Sequence, residues 1–322
     1  MPGGARAKTA RRLTGARCLV LGAGGFIGTN LCGKLIAEGA EVRAFGRSRQ
    51  FPEPLTGVEW IRGSLGGYQD FAGLVGDRDF VFDLIGSGLP DSSNRNPAAD
   101  VTRSILSTIE LLEACREKPV RRIVFASSGG TVYGISRLTP IPESAPTEPI
   151  SAYGIGKLAV EKYLGLYRHL YGLDYTALRI ANPYGPFQTA HRQQGVIAAF
   201  VQQALDGRTL EIWGDGTVVR DFIHIDDVTE AMVEVLAYAG PHHVFNVGSG
   251  IGRSVNAIVA DIQAVLGRGA LRRSYRSARP ADVPVNVLDI GLIRSETGWA
   301  PATEWLDGLR GTVDWLAAAS AA

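Results

Sequence analysis

Apolar residues in the first half of the chain fall in short unbroken runs that alternate with stretches of helical periodicity. The first run, Cys18-Leu19-Val20-Leu21, is bounded by glycines and reads as a strand buried on both faces. Residues 26–37 then place Ile27, Leu31, Leu35 and Ile36 on one helical face, with Gly39 as a stop. The same reading predicts strands at 41–45, 80–85, 122–126 and 175–180. It predicts helices at 101–116, where Ile105, Ile109 and Leu112 share a side, and at 151–171. Strand and helix in alternation predict an α/β fold built on a doubly wound parallel sheet. After Asn182 the pattern loosens, with Pro183, Gly185, Pro186, Gly195, Gly214 and Gly216 marking loops around a helix at 196–205. A helix is expected at 226–239 and a short strand at 244–247. The last third reads as short helices and Pro- and Gly-bearing loops, suited to a smaller C-terminal substrate-binding domain on the carboxyl edge of the sheet.

Composition narrows the partners. The chain has 322 residues and a formal charge of +1, with acids and bases nearly balanced. Bulk electrostatic binding to nucleic acid or to an anionic membrane is not expected. The three cysteines, Cys18, Cys32 and Cys115, form no CxxC pair and read as small buried residues in a reducing compartment. No apolar run approaches the roughly 20 residues needed to span a bilayer. The basic N-terminus, with Arg6, Lys8, Arg11, Arg12 and Arg17, lacks the apolar stretch of a secretory signal, so a cytoplasmic location is expected. No metal site is expected.

The turn after the first strand reads Gly22-Ala23-Gly24-Gly25-Phe26-Ile27-Gly28. Residues without Cβ permit a tight turn and let backbone approach a pyrophosphate, and the helix N-terminus supplies oriented N–H groups. Between a strand and an amphipathic helix, this loop predicts a dinucleotide in a Rossmann-type domain. That domain is expected at 17–181, with segments near 219–249 returning to it. A smaller substrate-binding domain is expected at 182–218 and 250–316, and tails at 1–16 and 317–322. At the end of the second strand an acidic residue suits NAD and an arginine suits NADP. Here Phe45-Gly46-Arg47-Ser48-Arg49 has no acid, which leans toward NADP.

Tyr153 and Lys157, in Ser151-Ala-Tyr153-Gly-Ile-Gly-Lys157, are four residues apart on one helical face. An ammonium beside a phenol favours phenolate, so the pair can act as general base and acid toward a hydroxyl or ketone. Upstream, Ser127-Ser128-Gly129-Gly130-Thr131-Val132-Tyr133-Gly134 follows a buried strand and can offer a hydroxyl that holds the substrate oxygen against Tyr153.

Glycine loop, strand-end serines and YxxxK in this order resemble the extended short-chain dehydrogenase/reductase family, and within it the NAD-dependent nucleotide-sugar epimerase/dehydratase branch. Further matches are Arg179-Ile-Ala-Asn182-Pro-Tyr-Gly185-Pro186, Gly214-Asp-Gly216, the segment from Arg220 through Asp227, Phe245-Asn-Val-Gly248, Arg279-Pro-Ala-Asp282 and Gly298-Trp299. The resemblance covers about residues 17 to 316. It implies that Tyr153 is the acid/base and Lys157 its partner, also touching the nicotinamide ribose. It implies cofactor contacts from Gly22, Gly25, Phe26, Ile27, Gly28, Arg47, Ser64, Leu65, Leu84, Ile85, Gly86 and Ser127. It places the substrate against Ser87, Ser128, Gly129, Asn182, Val196, Arg220, Arg279, Asp282 and Asn286, with Arg220 and Arg279 neutralising the diphosphate. It also implies a homodimer through the helices at 101–116 and 151–171, with outward apolar residues such as Leu164 and Leu166.

Several positions depart from the family pattern. Gly129 stands where the catalytic Ser or Thr is usual, so Ser128 or Thr131 must substitute, and Ser128 is favoured. Gly46 replaces the acid at the end of the second strand, and Ser64 replaces the acid of a Gly-Asp pair near the adenine. Asp83-Leu84-Ile85 replaces a usual His-Leu-Ala. The family's dehydratases carry Asp-Glu where this chain has Gly130-Thr131, and its decarboxylases carry Glu at the Thr131 position. What remains is epimerisation at C4 of a UDP-hexose or derivative, by transient oxidation with bound NAD and return of hydride to the opposite face. In the resembling 4-epimerases the residue four after Asp282, here Asn286, limits space around the sugar C2 substituent, and its small size admits an N-acetyl group. Two other readings stay open: an NAD(P)H-dependent reductase of a nucleotide 4-keto-sugar, and a dinucleotide-binding protein without catalysis.

Overall fold

The computed structural model describes residues 11–64, 69–86, 90–189, 195–267, 269–278 and 283–321. Its strands are β1 (Arg17–Leu21), β2 (Glu41–Gly46), β3 (Glu59–Arg62), β4 (Phe80–Asp83), β5 (Arg122–Ser128), β6 (Tyr175–Ile180), β7 (Asn182–Tyr184), β8 (Leu210–Trp213), β9 (Val219–His224), β10 (Val244–Val247), β11 (Gly252–Ser254), β12 (Arg273–Arg276) and β13 (Val285–Asn286). Its α-helices are α1 (Phe26–Ala37), α2 (Phe71–Val75), α3 (Pro90–Arg95), α4 (Pro97–Val101), α5 (Ser107–Arg116), α6 (Ala152–Tyr171), α7 (Val196–Leu205), α8 (Ile225–Glu234), α9 (Val255–Leu266), α10 (Gly291–Thr297) and α11 (Trp305–Ala321).

Seven strands form one parallel sheet in the order β10-β6-β5-β4-β1-β2-β3. The period of two along each strand divides the core into two layers. Cys18, Val20, Val42, Phe82 and Val124 point into one layer, with Leu31 and Leu35 of α1. Leu19, Leu21, Phe45, Val81, Ile123 and Phe125 point into the other, with Leu111 and Leu112 of α5 and Val160 and Leu164 of α6. Each such side chain contributes roughly 1.5–3 kcal/mol when fully buried. Strand order reverses between β1 and β4, and the crevice beyond their carboxyl ends is where a doubly wound sheet binds ligands.

Some elements depart from the pattern reading. β4 ends at Asp83 rather than at 85, because the Asp83 carboxylate accepts the Ile85 N–H at 3.0 Å and turns the chain off the ladder. β3 has too few apolar residues to announce itself. The helix expected at 101–116 starts at Pro97 and passes through a π-helical turn, Thr102–Leu106. The helix expected at 226–239 stops at Glu234. The last third holds longer helices than expected, α9 and the 17-residue α11, whose glycines disguise it. Gly308 is one of them, and a Cβ there would come within 2.6 Å of the Tyr184 hydroxyl.

Leu164 corrects one expectation. It is 1% exposed and packs in the core, whereas Leu166 is 44% exposed and shares the outer face of α6 with Ile155, Tyr163 and Leu170. The second cluster of the molecule joins α7, α9 and α11 through Ile197, Phe200, Ile258, Ile262, Leu309 and Val313. Two small sheets accompany it: β11-β9-β13 with β7 on β9, and β12-β8. Segment 219–249 serves both regions, giving β9 to the small sheet and β10 to the large one. Among the described residues, no helix is long and apolar enough to cross a membrane.

Candidate active site

The site is built at the reversal of strand order. Gly22 has φ 82°, and a Cβ there would lie 3.1 Å from the Leu84 carbonyl oxygen. A Cβ on Gly28 would meet the Gly22 oxygen at 2.4 Å, so only glycine lets the start of α1 close on the turn. The N-cap of α1 is Gly25, and no side chain caps it. The N–H groups of its first turn, at Phe26 and Ile27, therefore have no side-chain acceptor of the usual capping kind. This cradle fits the pyrophosphate of a dinucleotide.

The adenosine end is unusual. At Gly46, a Cβ would lie 3.1 Å from the Trp60 ring, so the indole fills the place of the usual acid. The Arg49 guanidinium stacks 5.3 Å from the centre of that ring, while Arg47 and Ser64 are exposed.

Tyr153 and Lys157 stand in the first turns of α6, whose N-cap Ser151 accepts the Gly154 N–H at 3.1 Å. Lys157 is 3% exposed, and its ammonium donates to the Ile85 carbonyl at 2.9 Å and the Ala126 carbonyl at 2.7 Å. Gly86 opens the space beside the pair: a Cβ there would lie 3.6 Å from Lys157 Nζ and 3.8 Å from Tyr153 Cε2. The Ser128 hydroxyl, at the end of β5, eases ionisation of the Tyr153 phenol.

The electrostatics refine the expectation of a phenolate. Burial pushes Tyr153 up to about 12, Asp100 adds to the rise, and the Ser128 hydroxyl opposes it. Burial lowers Lys157 to about 8, against the raising effect of Asp83, Asp100 and Glu161. The ammonium lies over the Tyr153 ring, 5.8 Å from its centre, and spends its hydrogen bonds on carbonyls. In the chain alone the phenol keeps its proton, and the pair is a proton donor held beside a buried cation.

Of the hydroxyls that could replace a serine at Gly129, that of Ser128 eases ionisation of Tyr153. Thr131 Oγ1 is buried without a hydrogen-bond partner among the described residues. The Ser127 hydroxyl donates instead to Glu161, which is ion-paired with Arg179 at 2.7 Å. Asn286 is 1% exposed; its Nδ2 donates to the Gly129 carbonyl at 3.1 Å, and its Oδ1 has no partner among the described residues. In the parallel register of β13 with β9, Asn286 lies beside Arg220. The Arg220 guanidinium donates to the carbonyls of Val219 and Val283. Asn182 donates to the Asp221 carbonyl at 2.9 Å. Val196 opens α7 behind Gly195, which has φ 81° and leaves that helix without a side-chain cap. Leu65, Ser87, Arg279 and Asp282 lie outside the described residues.

The structure thus gathers Tyr153, Lys157, Ser128 and Gly86, and ties Gly129 to Asn286. Arg47 lies apart, at the adenosine end. Two buried acids beside the Tyr/Lys pair, Asp83 and Asp100, were not anticipated as site residues. Asp83 was visible only as a departure from His, and Asp100 is a single acid with no motif around it.

Comparisons agree with this geometry. Residues 18–248 match the model of the NAD dependent epimerase/dehydratase family. The UDP-glucose 4-epimerase of Mycolicibacterium smegmatis is 35% identical over 309 residues, covering 93% of this chain and 98% of that protein. The crystal structure of a Thermotoga maritima UDP-glucose 4-epimerase with UDP-glucose superposes with a TM-score of 0.90 at 32% identity, over 94% of this chain and 99% of that one. A UDP-N-acetylglucosamine 4-epimerase from Methanobrevibacter ruminantium, in complex with UDP-N-acetylmuramic acid, gives 0.89 at 28% identity, over 95% and 99% of the two chains. With its glycine cradle, its Tyr/Lys pair and these matches along most of its length, the chain belongs to the NAD dependent epimerase/dehydratase family.

Proposed function

We propose that this chain is a nucleotide-sugar 4-epimerase that acts on a UDP-hexose or a derivative of one, with NAD as cofactor. The observation that carries the reading is the buried Lys157 ammonium over the Tyr153 ring, 5.8 Å from its centre, at the switch point of the sheet. No acid stands at Gly130 or Thr131 to move protons at a second carbon. Gly22, Gly25, Gly28 and Gly86 would hold the dinucleotide, with Lys157 at its nicotinamide ribose. When bound, NAD supplies a reversible hydride acceptor, and it is regenerated in each turnover.

The work of the protein side chains is proton transfer and orientation. Once ionised, its own proton released to solvent, Tyr153 takes the proton of the sugar 4-hydroxyl and gives it back, and Ser128 holds the same oxygen in line. Lys157 fixes the cofactor ribose and keeps positive charge near the phenol, which favours its ionised form in the transition state. Arg220 leaves its carbonyl partners for the diphosphate, and Arg279 serves beside it. Asn286 sets the room around C2 and admits an N-acetyl group, in keeping with the UDP-N-acetylglucosamine 4-epimerase likeness.

The chain pairs with a second copy through α5 and α6, where Ile155, Tyr163, Leu166 and Leu170 form an exposed apolar face. It works in the cytoplasm. A second reading, a keto-sugar reductase, is favoured by Arg47 and by the missing acid at Gly46.

Incubation with NAD and a panel of UDP- and dTDP-hexoses in heavy water, read by proton NMR, separates the two. A C4 epimer without deuterium at C4 is expected. Net consumption of NADPH with a 4-keto-sugar, and no epimer from any panel member, would transfer the assignment to the reductase.

A further inference from the structure

Asp83 takes no part in the steps above, yet it is 0% exposed beneath the site. Its Oδ1 accepts the Ile85 N–H at 3.0 Å, and its Oδ2 accepts the Thr108 hydroxyl at 3.1 Å. The carbonyl of the same Ile85 accepts the Lys157 ammonium at 2.9 Å. A continuous path therefore runs from Thr108 on α5, through the carboxylate that ends β4, to the ammonium on α6.

Charge is the second part of the case. Among the described residues both acceptors of Lys157, the carbonyls of Ile85 and Ala126, are neutral, and a buried ammonium needs compensating charge to stay protonated. Three carboxylates face it: Asp83 from β4, Asp100 from α4 and Glu161 from its own helix, with the Tyr153 ring one turn away. Glu161 is committed to Arg179. Asp100 accepts the Ser93 hydroxyl at 2.8 Å and lies against Gly156, where a Cβ would be 3.3 Å from its Oδ2. Among the described residues Asp83 has only an amide and a hydroxyl as donors, and of the three it acts most strongly on Lys157.

We propose that Asp83 is the positioning residue of the Tyr153–Lys157 pair. Its carboxylate fixes the turn that presents the Ile85 carbonyl and supplies the counter-charge that keeps the ammonium protonated. The inference rests on the epimerase reading only in taking Lys157 as part of the machinery.

Five lysines make a direct test practical. Protein enriched with carbon-13 at the lysine ε positions is titrated by NMR, and Lys157 is assigned by the signal lost in Lys157→Arg. In the native chain the Lys157 midpoint is expected near 8. Asp83→Asn keeps an oxygen for the Ile85 N–H and removes the charge. The Lys157 midpoint should then fall by about one unit, a tenfold loss of proton affinity. The basic limb of the pH profile of kcat/KM should fall with it. A folded Asp83→Asn protein whose Lys157 midpoint stays in place overturns the proposal. Should that variant not fold, Asp83→Ser, whose hydroxyl can still accept from Ile85, reads the same midpoint with the same two outcomes. Native protein that epimerises no UDP-hexose counts against the function proposed above, while the NMR midpoint still judges Asp83.

Discussion

The side chain of Leu288 occupies the space that a Cβ on Gly129 would require. Its Cδ1 lies 2.5 Å from that position, and the Arg179 carbonyl oxygen lies 2.9 Å from it on another side. The absent serine is thus a matter of packing, and Ser128, one residue back, is the proposed source of the hydroxyl. Gly129→Ser should lower stability by about 1–3 kcal/mol, the usual range for overpacking, without raising turnover. Thermal melts and kcat measured together check this. A stable variant with higher kcat would mean that Gly129 is a catalytic defect and not a packing solution.

Tyr153→Phe removes the proposed acid/base and should cost about 10²–10⁴-fold in kcat with little change in melting temperature. Ser128→Ala should cost less, because it removes an orienting bond and leaves the phenol. In the native chain kcat/KM should decline above about pH 8, as Lys157 loses its proton. A profile flat to pH 10 would mean that the ammonium is not needed.

At the adenosine end, Gly46→Asp cannot simply restore the usual acid. Trp60 carbon atoms lie 3.1 and 3.3 Å from the new Cβ. The single substitution should reduce stability, whereas Gly46→Asp with Trp60→Ala should fold and favour NAD over NADP by about tenfold, the worth of one hydrogen bond to a charged group. Dissociation constants for both dinucleotides, measured by calorimetry, decide the matter.

Asn286 combines a bond to the Gly129 carbonyl with an Oδ1 that has no partner among the described residues. Asn286→Tyr should lose N-acetylated substrates at least about tenfold more than plain hexoses, since crowding in a pocket discriminates by roughly 1–3 kcal/mol. Equal losses on both substrate types would remove Asn286 from the specificity assignment.

Acid should weaken the fold at the outer end of α1. Hydrogen bonds from Arg12 and then Lys34 hold the Glu38 carboxyl down at about 2, from an ordinary 4.5. Because the folded value is the lower one, this contribution is complete above about pH 4.5 and disappears as pH falls toward 2. Arg12 is 37% exposed, so screening reduces the effect to about 1 kcal/mol. Melting temperatures of the native chain and Arg12→Ala should differ at pH 6 and converge near pH 2.

Much of this architecture is legible in the sequence. The limits of α1, β6, α7 and β10 follow from runs and periods that local packing obeys. The glycine loop and the Tyr/Lys pair carry their chemistry in spacing alone. Asp83, Trp60 and Leu288 were not legible as site determinants, because each acts on a residue distant in sequence. Leu164 misled for a related reason: periodicity finds the faces of a helix but does not say which of two neighbouring positions the core claims. The split of the helix near residue 102 comes from a π turn, which no apolar pattern announces.

Helix α6 bears three functions within consecutive turns. Tyr153 and Lys157 face the cleft, Val160 and Leu164 anchor the core, and Ile155 lies on the outside between the two site residues. A rigid rod of this kind allows no slack between its faces. A partner pressing on Ile155 would move the phenol and the ammonium as one body, keeping their separation while changing their distance to the sugar. Pairing of subunits across this face would therefore set reach, not chemistry: it would alter which substrates are turned over well before it altered what is done to them.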